Sequence, residues 1–249
     1  MLSLLNVHYH INKNIFFDES VSDDSFMIYN SRKIEDIFWN FAVLSEITTF
    51  KKVADDIYAK FEELKRKPCI YINSLEAETL KELIERKFMV KYTESWLRYG
   101  GEGLQNIHPV REIKTEEDFN EFKKLFSDIY GNILPQRSIY TPAYISCLQK
   151  TFEADHFYHF LCYENNQAVA GASLGFYNGY CMVYNLVTHP DFIDKGYTQS
   201  VIHACTQKCK EICGKEIYAL VDADSATEKR MVKHGFKKVF TGYGLIKQL

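Results

Sequence analysis

The residues whose types and spacing could do chemistry are concentrated in one run, Asn185-Leu186-Val187-Thr188-His189-Pro190-Asp191-Phe192-Ile193-Asp194-Lys195-Gly196-Tyr197-Thr198-Gln199-Ser200. An apolar strand leads into a turn, a lysine, a glycine and a helix start. The first N–H groups of a helix have no acceptor within it and stand at the positive end of its dipole. Such a junction offers a seat for a phosphate or pyrophosphate. Gly196 permits close approach or a positive φ. The chain has neither the Gly-Lys-Ser/Thr of a nucleotide-hydrolase loop nor a GxGxxG.

Other groupings invite metal chemistry but read more simply. Cys205, Cys209 and Cys213 fall four apart on one helix. With Val201, Ile202 and Ile212 they complete an apolar stripe, and zinc wants a compact cluster with a fourth ligand. His156 and His159 lie at a helix-to-strand join where alternation puts them on opposite faces. His8 and His10 are two apart, would share a strand face, and read as surface. No metal site is expected.

The elements that must position the loop follow from periodicity and turn signals. Residues 26–30 and 37–44 read as strands, 48–66 as a helix stopped by Pro68, 69–72 as a buried strand, 75–87 as a second helix and 90–99 as a strand. Gly100-Gly101-Glu102-Gly103 and the next few residues read as a linker. Residues 110–113 open the second half as a strand. Thr115 caps a helix with Asp118 three residues on, and Thr141-Pro142 starts another. Residues 157–163, 168–177 and 180–188 read as three strands, separated by the hairpin turns Asn165-Asn166 and Asn178-Gly179. A helix over 198–213 ends at Gly214, a strand covers 217–221, a helix 225–234 ends at Gly235, and 236–246 is a strand pair or one bent strand. Both halves run helix, strand, helix, strand near their ends, which suggests an internal repeat.

At this point the run from Leu186 resembles the acyl-coenzyme A loop of the GNAT superfamily of N-acetyltransferases. That pattern, Arg/Gln-x-x-Gly-x-Gly/Ala after an apolar-x-His-Pro-like turn, falls on Ile193, Asp194, Lys195, Gly196, Tyr197 and Thr198. The element order from Val110 to Leu249 and the Lys233-His234-Gly235-Phe236 ending are similar to that family too. The resemblance implies an α/β (α+β) fold with a mixed, mostly antiparallel splayed sheet flanked by helices. It implies a GNAT N-acyltransferase domain over 106–249. Residues 1–105 are similar to a reduced copy that has lost its cofactor loop, since no Gly lies between Leu44 and Lys52.

The resemblance also implies a site. Acetyl-CoA or coenzyme A, as co-substrate, would lie against Leu186, Val187, Thr188, the six loop positions and Gln199, with Asp224, Thr227 and Met231 on the facing last helix. A backbone N–H at Leu186 to Thr188 would polarise the thioester carbonyl. A base must take the amine proton and an acid serve the leaving thiolate. Where many relatives have Tyr and Asn on the last helix, this chain has Met231 and Asp224, and methionine donates no proton. Tyr184 and Asp222 are the candidate catalytic residues, as donor and as amine ligand or base. Each also has an ordinary reading, as a packed strand tyrosine and a solvated strand-end carboxylate. His189 would be a base only against the family's habit. Ile193 and Thr198 depart from the pattern, and Asp194 puts a negative charge near a pyrophosphate that Lys195 could offset.

Composition narrows the class. The chain has 249 residues, 30 basic against 33 acidic, and a net charge of −3. That leaves no basic excess to neutralise a phosphate backbone, so nucleic acid is not expected as a partner. No apolar run approaches the roughly 20 residues that span a bilayer, so no membrane partner is expected. Seven cysteines without a CxxC pair fit free thiols in a reducing cytoplasm. The aromatics Trp39, Phe41, Trp96 and Tyr99 read as core or domain interface, with an acceptor pocket between the halves as the alternative. The expected activity is acetyl transfer to a primary amine of a small-molecule or peptide acceptor by direct attack, in a possible homodimer. The alternative is a catalytically impaired relative that binds coenzyme A or a protein partner without turnover. A third reading, an aminoacyl donor on a related twin fold, would need a basic groove.

Overall fold

The computed structural model describes residues 2–45, 50–73, 77–133 and 141–247. In the first half, helix α1 (Leu2–Asn12) precedes strands β1 (Glu19–Ser22), β2 (Phe26–Asn30) and β3 (Phe41–Leu44). Helix α2 (Phe50–Glu63), β4 (Cys69–Ile72), helix α3 (Ala77–Glu85) and β5 (Phe88–Tyr99) complete it. The second half begins with β6 (Val110–Glu112) and helices α4 (Glu116–Ser127) and α5 (Thr141–Phe152). Then come β7 (Phe157–Glu164), β8 (Gln167–Tyr177), β9 (Tyr180–Thr188), α6 (Tyr197–Glu211), β10 (Glu216–Asp222), α7 (Ala226–Lys233) and β11 (Phe236–Lys247).

Several elements form for legible reasons. In α2, Phe50, Val53, Ala54, Ile57 and Phe61 are buried at helical spacing. The Thr115 hydroxyl accepts from the Asp118 N–H at 3.2 Å and donates to its carboxylate at 3.0 Å, an N-cap that Asp118 supports through the hydroxyl. Asn165, Asn166, Asn178 and Gly179 all have positive φ, as the two-residue hairpin turns require. Two expectations are corrected. Residues 2–12 are a helix, so His8 and His10 share no strand face. Of 37–44, only Phe41–Leu44 is a strand; Ile37–Trp39 is a single 3-10 turn capped by Asp36. Residues 236–247 resolve as one long strand with register shifts between Lys238 and Phe240 and between Gly244 and Leu245. Residues 46–49 and 74–76, inside two expected elements or loops, lie outside the described residues.

All eleven strands of the described residues form one sheet, in the order β1-β2-β3-β4-β11-β5-β10-β9-β8-β7-β6. Each half follows the same path. β1, β2 and β3 are an antiparallel run and β3 pairs β4 in parallel; β7, β8 and β9 are an antiparallel run and β9 pairs β10 in parallel. The last strand of each half then crosses to the other. β11 pairs β4, β5 pairs β10, and β5 and β11 pair with each other along almost their whole length. The segment at 105 therefore falls between two halves that share their central strands. Helices α2, α6 and α7 cover one face of the sheet; α1, α4 and α5 cover the other.

This exchange makes the halves one cooperative unit. Thermal unfolding of the full chain, followed by circular dichroism, should show a single transition. Residues 106–249 expressed alone lack β5 and should give no native-like dispersed amide spectrum as a monomer.

Candidate active site

The junction between β9 and α6 is a helix start with no side-chain cap. Gly196 caps α6 at φ 92, a left-handed conformation that suits glycine, and Asp194 two residues before also has positive φ. The first-turn N–H groups of Tyr197, Thr198 and Gln199 have no acceptor within the helix. The Asp194 carboxylate, unwelcome beside an anion, is met by Arg230 of α7 at 3.0 Å. The Thr198 hydroxyl is 2.8 Å from that of Thr188, so its extra bulk ties the helix to the end of β9. The junction is braced from behind by residues just past the glycine cluster. Ser200 Oγ accepts from the N–H groups of Ile107 and His108, His108 Nε2 is 2.8 Å from the Lys195 carbonyl, and its ring stacks on Tyr197 at 3.8 Å. The segment expected as slack linker thus holds the loop in place.

Upstream of that junction the sheet opens. The parallel ladder between β9 and β10 ends at Val183 and Ala219. On its other side, β9 skips register between Tyr184 and Val187, and Asn185 has φ 52. This is a β-bulge, and it leaves Asn185 and Leu186 outside both ladders. The bulge is held by side chains: Asn185 Nδ2 donates to Ser173 Oγ at 3.0 Å, Tyr144 donates to Asn185 Oδ1 at 3.2 Å, and buried His159 reaches Ser173 at 2.8 Å.

A cavity of about 360 Å³ passes through this opening. Its walls come from both faces of the sheet, with His8 and Trp96 from one side and Val183 and Met231 from the other. The N-terminal half supplies Asp36, Phe38, Trp39, Phe41, Tyr71, Tyr92 and Glu94. The loop that carries Asp36 to Trp39 is fixed by buried Asn40, which donates to the carbonyls of Ile34 and Asp36 and accepts from the Ser31 N–H. Gly242 of β11 makes room for the wall, since a Cβ there would lie 1.7 Å from the Tyr71 hydroxyl.

The comparisons with known proteins agree with this geometry. Residues 119–236 match the family model of the acetyltransferase (GNAT) family. The chain carries a GNAT acetyltransferase domain. No curated protein sequence matches the chain. Among solved structures, a conserved protein of unknown function from Staphylococcus epidermidis is similar over 96% of this chain and 97% of its own, with TM-score 0.74 and 11% identity. A GCN5-related N-acetyltransferase from Kribbella flavida is similar over 93% and 90%, with TM-score 0.66 and 14% identity. A tandem GNAT protein from the clavulanic acid biosynthesis pathway is similar over 88% and 77%, with TM-score 0.59 and 9% identity. At such identities the likeness is one of fold: the mixed, mostly antiparallel sheet flanked by helices is that of the GNAT neighbours.

Within that fold, the residues expected from sequence fall in two groups. Tyr184, Leu186, Asp222, Thr227 and Met231 line the cavity. Ile193 to Gln199 form the loop and first turn of α6. Val187 and Thr188 pair with Gly171 and Ala170 of β8, and Asp224, exposed and at positive φ, makes the turn into α7. Met231 is fully buried. Trp39, Phe41 and Trp96 line the cavity, whereas Tyr99 packs on Phe236 away from it. Cys205 and Cys209 are buried in the α6 core and Cys213 is exposed; among the described residues no group of three His, Cys, Asp or Glu could hold a metal ion.

Two cavity residues escaped the sequence reading. His8 is buried, with Nδ1 2.9 Å from the Tyr184 hydroxyl, which also accepts from Asn12 Nδ2 at 3.1 Å. Burial pushes its pKa down to about 3, so it is a neutral imidazole. Burial likewise raises the Tyr184 phenol well above its ordinary value. Glu94, only 4% exposed, is the second. Burial raises its pKa to about 8, a hydrogen bond with Tyr71 partly opposes this, and the charges of Asp222 and Asp36 add to it. Its signal was available, as the one carboxylate inside the apolar end of the 90–99 strand.

A carboxyl whose pKa is raised on folding is proton-rich in the native state between its two pKa values. Stability from Glu94 is therefore full below about 4.5 and is lost as pH rises towards about 8. Glu94→Gln should flatten that part of the stability–pH profile and raise stability relative to the parent at pH 8, measured by urea denaturation across pH 5 to 8.

Proposed function

We propose that the protein is an acetyl-CoA-dependent N-acetyltransferase that moves an acetyl group to a primary amine of a small-molecule or peptide acceptor. The observation that carries this reading is the bulge at Asn185–Leu186. It opens the sheet into the cavity on the same strand that leads to the anion seat at Gly196. A pantetheine chain laid along β9 would join the two, with its pyrophosphate at the N–H groups of α6. The bound thioester supplies the activated acetyl group.

This chain's own residues then have separable roles. The Leu186 N–H, outside both ladders, polarises the thioester carbonyl and receives the developing negative charge on oxygen. Asp222, exposed at the end of β10, draws a cationic amine to the cavity. The Tyr184 hydroxyl stands where a proton is needed by a departing thiolate, and neutral His8 holds it there by a hydrogen bond. Met231 closes the wall without donating a proton. Lys195 is exposed at the loop, its ammonium 5.3 Å from the centre of the Phe192 ring. The seven unpaired cysteines, six of them buried, suit a cytoplasmic enzyme.

Calorimetric titration with acetyl-CoA tests the first half of the proposal: saturable binding is expected, and no heat at millimolar ligand would overturn it. Gly196→Glu should abolish that binding, because it puts a carboxylate in the anion seat and a side chain at φ 92. Steady transfer to an amine, lost in that variant, would also exclude a merely binding role. Tyr184→Phe should lower kcat by about 10- to 100-fold with KM for acetyl-CoA nearly unchanged, measured by thiol release.

A further inference from the structure

Resting on the acetyltransferase reading, we infer that the acceptor is a compact arylalkylamine without an acidic group, whose ammonium is received and deprotonated by Glu94. The cavity's composition carries this. It is walled by rings, chiefly Trp39, Trp96, Phe38, Tyr71, Tyr92 and Tyr144. Those rings are fixed in turn: Trp39 stacks on Phe16 at 4.5 Å, Phe38 on Tyr92 at 4.2 Å, and Trp96 on Phe240 at 5.4 Å. The Trp96 indole N–H donates to the Tyr71 hydroxyl at 2.7 Å. A rigid aromatic box binds a flat apolar body and attracts a cation to its ring faces.

Among the described residues, the charged side chains at the cavity all have one sign: Asp36, Glu94 and Asp222 line it, and no Lys or Arg of those residues does. A carboxylate on the acceptor would meet these three carboxyl groups, which disfavours amino acids. A polyamine needs acidic groups spaced along a channel. Here Glu94 and Asp222 stand directly opposite each other on β5 and β10, so the negative charge is gathered at one place. At about 360 Å³ the cavity suits a small ligand and not a folded chain.

Glu94 lies on β5 between Tyr92 and Trp96, on the side chain alternation that faces the cavity. Among the described residues, the groups around it that titrate or carry charge are Tyr71 and Cys69 of β4, Tyr92 of β5, Asp222 of β10 and Asp36 of the loop, with His8 of α1 also on the cavity wall. β11 places only Gly242 opposite it. A neutral carboxyl at rest fits this buried position. An entering ammonium favours its ionised form, and the displaced proton leaves to solvent. The carboxylate then takes one proton from the nitrogen. The freed lone pair forms the C–N bond to the thioester carbonyl, the C–S bond breaks, and Tyr184 passes its hydroxyl proton to the thiolate as it takes up the nitrogen's second proton. Products are the N-acetyl amide, free thiol and a protonated Glu94, so charge and atoms balance.

Both tryptophans of the chain line the cavity, so amine binding has a readout independent of acetyl-CoA. Phenethylamine should change the intrinsic fluorescence saturably, and spermidine and phenylalanine should not at tenfold higher concentration. With acetyl-CoA, kcat/KM for phenethylamine should exceed that for either by at least about tenfold. Glu94→Gln should lower kcat about 100-fold and remove the ionisation from its pH profile, with acetyl-CoA affinity unchanged; Glu94→Asp should restore part of the rate. A preference for spermidine, phenylalanine or a lysine peptide, or a Glu94→Gln enzyme as fast as the parent, overturns the inference. Failure of acetyl-CoA to bind while phenethylamine still changes the fluorescence would overturn the acetyltransferase reading alone.

Discussion

The structure depends on the pairing of β5 with β11 at the middle of the sheet. These are the last strands of the two halves, and each is bound on its outer side to the other half. Neither half can close its own sheet, and the two cannot drift apart without breaking the central ladder. This fixes the N-terminal half relative to the acetyltransferase domain. It also brings the concave side of β4 and β5 against the gap between β9 and β10, where the cavity lies. The N-terminal half, which has no glycine between Leu44 and Lys52, supplies part of the wall of that opening.

That opening is the second constraint. A parallel pair of strands that separate after Val183 and Ala219 exposes backbone that must be satisfied or used. The bulge at Asn185 is held by side chains, with Ser173 and Tyr144 hydrogen-bonded to the Asn185 amide and His159 to Ser173. Leu186, outside both ladders, lines the cavity together with the aromatic side chains of the first half. The same walls explain the shifted residues. His8 loses its charge and Glu94 keeps its proton because each is cut off from water, not because each has a strong partner.

Most of the fold was legible because it is written in local signals. The Asn-rich hairpins, the Thr115 cap, the Gly196 helix start and the amphipathic spacing of α2 each act over a few residues. The regions that escaped lack such a signal. Helix α1 is apolar on nearly all sides, as a buried helix is, so its His8 and His10 fitted a strand equally well. Ile37–Trp39 has strand-forming residue types, yet Asp36 and Asn40 divert it by hydrogen-bonding its backbone. The cavity was least legible. Glu94 faces Asp222 and Gly242, and Tyr71 meets Trp96, through pairings between distant parts of the chain. Only the exchange of β5 and β11 creates them, and element order does not contain it. The loop itself was readable, but the brace from Ile107 and His108 was not, since glycine-rich spacing there pointed to a linker.

The departures from the family pattern are also resolved by neighbours and not by position. Asp194 is offset by Arg230, and Thr198 turns its hydroxyl to Thr188. Ile193 surrenders no backbone donor by lacking a polar side chain, and its N–H is in any case taken by the Pro190 carbonyl at 3.2 Å. Met231 is the most telling. On the last helix it is fully buried, belongs to the same apolar cluster as Leu97, Val201 and Phe236, and adds apolar surface to the cavity wall. Tyr184, His8 and Glu94 line the cavity as well. His8 and Glu94 come from the first half and Tyr184 from β9 of the second, so the titratable groups of the wall are drawn from both halves and not from the last helix alone.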